Sequence, residues 1–240
     1  MVFWEKFQLF TRYSSNMKDF CWRIIQLGMK RWTRAGLYDF IEENLKLHKS
    51  DKVLVIGGFG QVLNFINEKI PNKDVKTLDI QLAHRPDYLL DISDPSLISL
   101  IQEKFDQIIC IEVLEHVPNY ELALSNIYQL LHNNGIIIAS TPWVIPLHDQ
   151  PYDFHRFTWF EIKRILQKNN FTEILIECRG NYVDSIFALG VRGLLSPKMS
   201  GKITSIIFTS LTLFLPKPKR YSELQYSTIG YTFKAKKLLA

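Results

Sequence analysis

The sequence predicts an α/β fold built on a mainly parallel sheet with helices on both faces. Two observations carry that prediction. Continuous apolar runs such as Val53-Leu54-Val55-Ile56 and Ile108-Ile109-Cys110-Ile111 suit strands buried on both faces. Such runs alternate along the chain with segments whose apolar residues recur at helical spacing. At 240 residues, 47% hydrophobic and 22% charged, the chain has material for one domain with a substantial core.

The elements follow in order. Residues 1–50 read as an N-terminal helical extension. Phe20, Ile24 and Leu27 suggest one helix, and Leu37, Phe40, Ile41 and Leu45 give a clearer apolar stripe. The domain proper spans 51–240. Its first strand, Lys52 to Ile56, stops at Gly57-Gly58-Phe59-Gly60. Val62, Leu63, Phe65, Ile66 and Ile70 then carry a helix that Pro71 closes. Val75 to Asp79 and Tyr88 to Asp91 are the next two strands. Asp94-Pro95 opens a helix, with aspartate as the cap and proline at the first position. Phe105 to Ile111 is a fourth strand, Pro118 to His132 a helix, and Gly135 to Ser140 a fifth strand. Thr158 to Lys168 is helical, Phe171 to Cys178 extended, and Gly230 to Lys236 forms the last strand. An apolar and basic insertion interrupts the domain at about 181–222. No internal repeat or low-complexity tract is visible.

The formal charge is +5, with lysines concentrated late, among them Lys198, Lys202, Lys217 and Lys219 beside Arg220. A basic tail suits phosphate, RNA or an anionic membrane, and equally a plain solvated surface. The three cysteines, Cys21, Cys110 and Cys178, form no CxxC pair, which excludes a disulfide framework or zinc knuckle and suits a reducing compartment. The N-terminus mixes charge with aromatics rather than carrying a signal-peptide core, and no stretch is apolar enough to span a bilayer. A cytoplasmic location follows as the expectation. Within the insertion, Ile203, Ile206, Ile207, Phe208, Leu211, Phe214 and Leu215 form one helical face, with Thr204, Ser205, Thr209 and Thr212 opposite. That pattern fits an interfacial helix meeting anionic lipid through residues 198–220, and equally a lid or dimer contact.

In an open parallel sheet, ligands bind beyond the carboxyl ends of the strands. Gly57, Gly58 and Gly60 sit at the first such end, where glycine permits a tight turn and close backbone approach. Alone, this is an ordinary strand–helix turn. Asp79 ends the second strand 22 positions after Gly57, near the spacing at which a carboxylate accepts hydrogen bonds from a ribose diol. Asp91 ends the third and could receive an adenine amino group. Either aspartate alone could be a cap or turn residue. Together they indicate an adenosine-containing ligand.

The run Phe105-Asp106-Gln107-Ile108-Ile109-Cys110-Ile111-Glu112-Val113-Leu114-Glu115-His116-Val117 resembles the fourth-strand motif of class I S-adenosylmethionine-dependent methyltransferases, in the branch acting on small molecules and biosynthetic intermediates. Leu131 to Ile138 resembles that family's lead into its fifth strand, and His148 to Thr158 a segment that follows it. The resemblance covers roughly residues 50–180 and the last strand. It implies a Rossmann-like, mostly parallel seven-stranded sheet with an antiparallel last strand, and S-adenosyl-L-methionine as cofactor. It also implies that Gly57, Gly58 and Gly60 line the methionine and ribose portion, that Asp79 holds the ribose hydroxyls, that Asp91 and Ile92 frame the adenine, and that Glu112 lies beside the site. Val55 and Phe59 depart from the pattern: the family usually has an acidic residue near the first, which helps to fix the cofactor's amino group, and a further glycine at the second.

Methyl transfer to an alcohol needs a base, and histidine titrates in the right range. His116, His148 and His155 are the candidates, with Asp149 or Asp153 able to orient an imidazole; His148 is favoured because it follows the fifth strand. Residues His148 and Arg156 as structural pins of a long loop are the competing reading. The His and Asp residues of this loop meet no standard metal-ligand spacing, so no metal is expected. The expected partner is a small-molecule or lipid-linked acceptor methylated at oxygen, rather than DNA or RNA, since no nucleic-acid-binding module is appended and the fourth strand lacks an Asn/Asp-Pro-Pro-aromatic motif. Three alternatives stay open: an RNA methyltransferase, a degenerate fold kept as a binding scaffold, and a nicotinamide dehydrogenase, the last disfavoured by the absence of GxGxxG.

Overall fold

A computed structural model describes residues 32, 34–45, 51–57, 60–71, 74–192, 199–212 and 214–238. Phe20, Ile24, Leu27, Gly58, Phe59, Cys21 and Lys198 lie outside the described residues. The elements run α1 (Leu37–Asn44), β1 (Lys52–Ile56), α2 (Gln61–Lys69), β2 (Asp74–Asp79), β3 (Tyr88–Leu89), α3 (Leu97–Leu100), β4 (Phe105–Ile111), α4 (Tyr120–Leu130) and β5 (Leu131–Pro142). They continue with α5 (Trp159–Lys168), β6 (Phe171–Arg179), α6 (Tyr182–Val191), α7 (Met199–Thr212), β7 (Arg220–Tyr221) and β8 (Gly230–Lys237). Single 3₁₀ turns occur at Leu82–His84 and Leu114–His116.

One eight-stranded sheet holds these strands in the order β3-β2-β1-β4-β5-β8-β6-β7. From β3 through β5 the pairing is parallel, whereas β8 lies antiparallel between β5 and β6. The strand beyond the expected seven is β7, a two-residue edge that pairs antiparallel with Cys178 and Arg179. The chain leaves β3 at one edge and re-enters at β4, on the other side of β1. That reversal of strand order opens a crevice at the carboxyl ends of β1 and β4, where ligands of such sheets sit.

Period-two alternation divides the core into two layers. Leu54, Ile56, Ile108, Cys110, Ile137 and Ala139 face α4 and α5 on one side. Val53, Val55, Ile109, Ile111 and Ile138 face α1 and α2 on the other. Each fully buried aliphatic side chain contributes about 1.5–3 kcal/mol, so these two layers hold the sheet between its helices. Leu37, Phe40 and Ile41 of α1 belong to the second layer, so this helix is part of the domain's core.

Several boundaries differ from the sequence expectation, among them the fifth strand, which runs Leu131–Pro142 rather than Gly135 to Ser140. The segment at Asp94-Pro95 is not a helix start: Asp94 Oδ1 accepts from the Ser96 amide at 2.7 Å, and the helix is a single turn from Leu97. The helix expected to reach His132 ends at Leu130, because Leu131 already pairs with Phe105 in the sheet. The third strand is two residues long. The insertion near 181–222 holds α6, α7 and β7.

Candidate functional site

A cavity of about 290 Å³ opens at the carboxyl ends of β1, β2 and β4. Its walls are mainly apolar: Ile56, Leu78, Ile80, Ile92, Val113 and Val117 contribute, with Tyr152 and Phe154 from the loop after β5. Asp79 and Asp91 supply carboxylates and His116 an imidazole. Apolar walls with few placed polar groups suit a flat heteroaromatic ring carrying a polar sugar. Of the expected cofactor residues, Gly57, Asp79, Asp91 and Ile92 line this cavity together.

Each of these is held by local chemistry. Gly57 has φ +63°, and a Cβ there would lie 2.5 Å from Val113 Cγ2, so a side chain would both strain the turn and fill the crevice. Asp79 is buried at the end of β2; its Oδ1 accepts from the Gln81 amide at 2.8 Å, and its Oδ2 lies 2.8 Å from His84 Nδ1. Asp91 is exposed and caps a turn, accepting from the Ser93 amide at 2.7 Å. Asn126 of α4 donates to the carbonyls of Ile92 and Asp94, which fixes the loop that carries Asp91 and Ile92. Gly60 sits at the cap of α2 with φ +62° and does not line the cavity.

Glu112 lies beyond the cavity lining, on a left-handed backbone (φ +54°) that non-glycine residues rarely adopt. Its carboxylate takes a hydrogen bond from Arg179 Nη2 at the end of β6, and Arg179 is 1% exposed. Gly230 of the intervening β8 makes this reach possible, because a Cβ there would lie 2.3 Å from Arg179 Nη2. Burial pushes the Glu112 carboxyl up, but Arg179, Arg192 and Arg34 outweigh it and hold the group below its usual range.

Three residues on, Glu115 is the opposite case. It is wholly buried, and neither carboxylate oxygen has a hydrogen-bond partner among the described residues. Burial and the neighbouring Glu112 charge push its carboxyl well above the usual range. His116 Nδ1 lies 2.8 Å from the Tyr152 carbonyl oxygen. A carbonyl only accepts, so Nδ1 is the nitrogen that donates and Nε2 is the one left to face other groups. His116 Nε2 is 3.7 Å from Glu115 Oε1 and 3.8 Å from Asp149 Oδ2.

The fold brings His116 and His148 edge to face at 4.8 Å between ring centroids. His148 does not line the cavity but stands behind His116, its Nδ1 3.2 Å from Asp153 Oδ2. Partial burial lowers its pKa against the opposing pull of Asp153. Asp153 is locked by Arg156, which donates to both carboxylate oxygens and holds the group far below the usual carboxylate range. His155 points elsewhere, with Nε2 3.3 Å from the Pro118 carbonyl, and lines a neighbouring depression of about 350 Å³ with Trp143, Leu147 and Arg156. Although no metal-ligand spacing is visible in the sequence, ligand atoms of Glu115, His116 and His148 come within 4.8 Å of one another, close enough for a cation.

Sequence reasoning did not single out His84, Asn126, Glu115 or Arg179 in these roles. Asn126 and Arg179 act across gaps of 34 and 67 residues, which no local pattern reports. Glu115 did carry a signal: a carboxylate inside the apolar run Val113 to Val117.

Residues 29–175 match the model of a family described as a methyltransferase domain. No curated protein sequence matches the chain. An S-adenosylmethionine-dependent methyltransferase of Archaeoglobus fulgidus superposes with a TM-score of 0.53 at 16% identity, over 84% of this chain and 93% of that one. A Thermotoga maritima S-adenosylmethionine-dependent methyltransferase, a possible histamine N-methyltransferase, gives 0.53 at 12% identity, over 93% and 96%. The plantazolicin methyltransferase, in complex with a triazolic desmethyl analogue and S-adenosylhomocysteine, gives 0.50 at 13% identity, over 97% and 91%. At these identities the likeness is one of fold.

Proposed function

Because the chain belongs to the methyltransferase-domain family, we propose that it methylates the oxygen of a small biosynthetic acceptor, with S-adenosylmethionine seated in the strand-end cavity. The observation that carries this reading is the pairing of Asp79 and Asp91 on an apolar cavity at the reversal of strand order. Asp79 is the group to hold a ribose diol, and its contacts with Gln81 and His84 set the carboxylate's orientation. Asp91 and Ile92 frame the base, and Gly57 lets the backbone approach.

When bound, S-adenosylmethionine supplies an electrophilic methyl on a sulfonium, which is displaced in line and leaves as a neutral thioether. The chain's work is therefore to position the acceptor and to take its proton. His116 is the base the geometry favours, since it lines the cavity and offers Nε2. His148 stands behind it rather than at the cavity, where its edge-to-face contact holds the first ring in place. The neighbouring depression, which shares Phe154 with the cavity but not His116, gives the body of a sugar-like, quinone-like or lipid-linked acceptor a place to sit, with its hydroxyl reaching past Phe154 toward His116.

A second reading, a binding domain without catalysis, draws on Val55. It is 1% exposed in the apolar layer, where the family usually places an acid. Calorimetric titration with S-adenosylmethionine and S-adenosylhomocysteine, with Asp79→Ala as control, tests both. Saturable binding that the substitution weakens supports the enzyme and justifies an acceptor screen. A folded protein that binds neither ligand at millimolar concentration sinks it.

A further inference from the structure

Helices α6 and α7 meet through small and hydroxylated residues around one aromatic contact, Phe187 with Phe208 at 5.4 Å between ring centroids. Gly190 lies so close to Phe208 that a Cβ would stand 2.2 Å from its ring. Ser205 Oγ donates to the Val191 carbonyl at 2.5 Å, and Thr212 Oγ1 to the Thr209 carbonyl at 2.6 Å, all of them buried. The outward face is aliphatic instead. Ile203, Ile206, Ile207 and Leu211 of α7 are exposed, and Val183, Ile186 and Leu189 of α6 continue the patch.

This is the reverse of a helix pair in water, which buries its aliphatic stripe and exposes its hydroxyls. It matches helix contacts made in apolar surroundings, where small residues meet and aliphatic ones face out. Charge adds a second, independent observation. From Ser185 to Ser222 the chain has no Asp or Glu, yet it carries Arg192, Lys198, Lys202, Lys217, Lys219 and Arg220. Arg220 is committed to Glu43 and Glu177, but Lys217 and Lys219 are exposed just past α7, beside a Phe214 that is 87% exposed.

We propose that the α6–α7 hairpin docks the protein on an anionic lipid surface. Its aliphatic face enters the acyl boundary, and Lys217 and Lys219 meet the headgroups. At 14 residues α7 is too short to cross a bilayer, so it lies in the interface. A protein partner or a second copy would also cover the aliphatic patch. The carboxylate-free basic stretch selects a phosphate-bearing surface over both. Because α6 leaves the sheet at the carboxyl end of β6, the hairpin stands at the same end of the strands as the cavity.

The test is co-sedimentation of the full chain with phosphatidylcholine vesicles, with and without phosphatidylglycerol, at low and high salt. Sedimentation velocity without vesicles and thermal unfolding of every variant accompany it. Partition onto the anionic vesicles is expected, weakened by salt. Ile206→Asp with Leu211→Asp should lower it at least about tenfold, since each removes an aliphatic side chain from an apolar phase. Lys217→Glu with Lys219→Glu should abolish the preference for anionic lipid. Two results overturn the proposal: a folded protein that stays in the supernatant with every vesicle, or a dimer in vesicle-free solution that the same aspartates dissociate.

Discussion

The strand-end cavity and the α6–α7 hairpin share the carboxyl end of the sheet and obey opposite rules of burial. Around the cavity, aliphatic side chains turn inward and carboxylates stand where a ligand would reach them. In the hairpin, Ser205, Thr209 and Thr212 turn inward while Ile203, Ile206 and Ile207 face out. The difference shows that an amphipathic pattern fixes two faces of a helix but not which of them is buried. In the sheet that ambiguity does not arise, because a strand such as β1 has protein on both sides.

If the region around the cavity is held by its charge pairs and the hairpin by close packing and neutral hydrogen bonds, the largest losses should come from the first region. Arg179→Met leaves Glu112 mostly buried without its partner, which costs about 3–5 kcal/mol in comparable cases. Urea unfolding should show that loss, and adding Glu112→Gln should restore most of it. A single-mutant loss below about 1 kcal/mol would mean that this region does not depend on the pair.

Next in size is Asp79→Asn. Two charge-assisted hydrogen bonds to a diol are worth about 1.5–3 kcal/mol each, so S-adenosylhomocysteine affinity should fall at least about 100-fold by calorimetry. The Ile206→Asp and Leu211→Asp pair in the hairpin should leave that affinity unchanged. If both variants lose affinity equally, the two regions are one coupled unit and the contrast fails.

A pH series sharpens the contrast within the site itself. Glu115 has a raised pKa in the folded state, so its contribution is full below the ordinary value of 4.5 and is lost as pH rises toward the folded value. Glu112 has a depressed one, so its contribution is present above 4.5 and is lost as pH falls through the folded value. Glu115→Gln should therefore flatten the decline of the urea midpoint between weakly acidic and alkaline pH, gaining most at the alkaline end. Parallel curves for mutant and wild type would show that Glu115 is not protonated in the fold.

How far the sequence could be read follows the same division. The bounds of β1 and β4 were legible to the residue, because a continuous apolar run has one solution when both faces are covered. Asp79 and Asp91 were legible as neighbours because the end of β2 and the turn just past β3 face one crevice. Three things were not. The helix before β5 runs two residues too far at its C-terminal end in the sequence reading, since Leu131 serves either period until Phe105 pairs with it. α6 was hidden because the stretch from Tyr182 to Val191 is apolar nearly all round. The preference for His148 rested on chain order, whereas the place of His116 in the cavity lining depends on the Tyr152 carbonyl 36 residues away, which no local pattern reports.

The smallest expected effect bears most directly on the hairpin. Ile207→Thr removes aliphatic surface that the isolated protein already leaves in water, being 52% exposed, so its unfolding free energy should move by no more than about 0.5 kcal/mol. Ser205→Val, two residues away on the inward face, adds bulk against Val191 and strands its carbonyl, and should cost about 1–3 kcal/mol. In a helix packed the ordinary way the order would be reversed, with the isoleucine costly and the serine cheap. Urea unfolding of the two variants side by side decides it: a larger loss at Ile207 than at Ser205 would mean that α7 turns its aliphatic face inward in solution, and the lipid-facing surface would go with it.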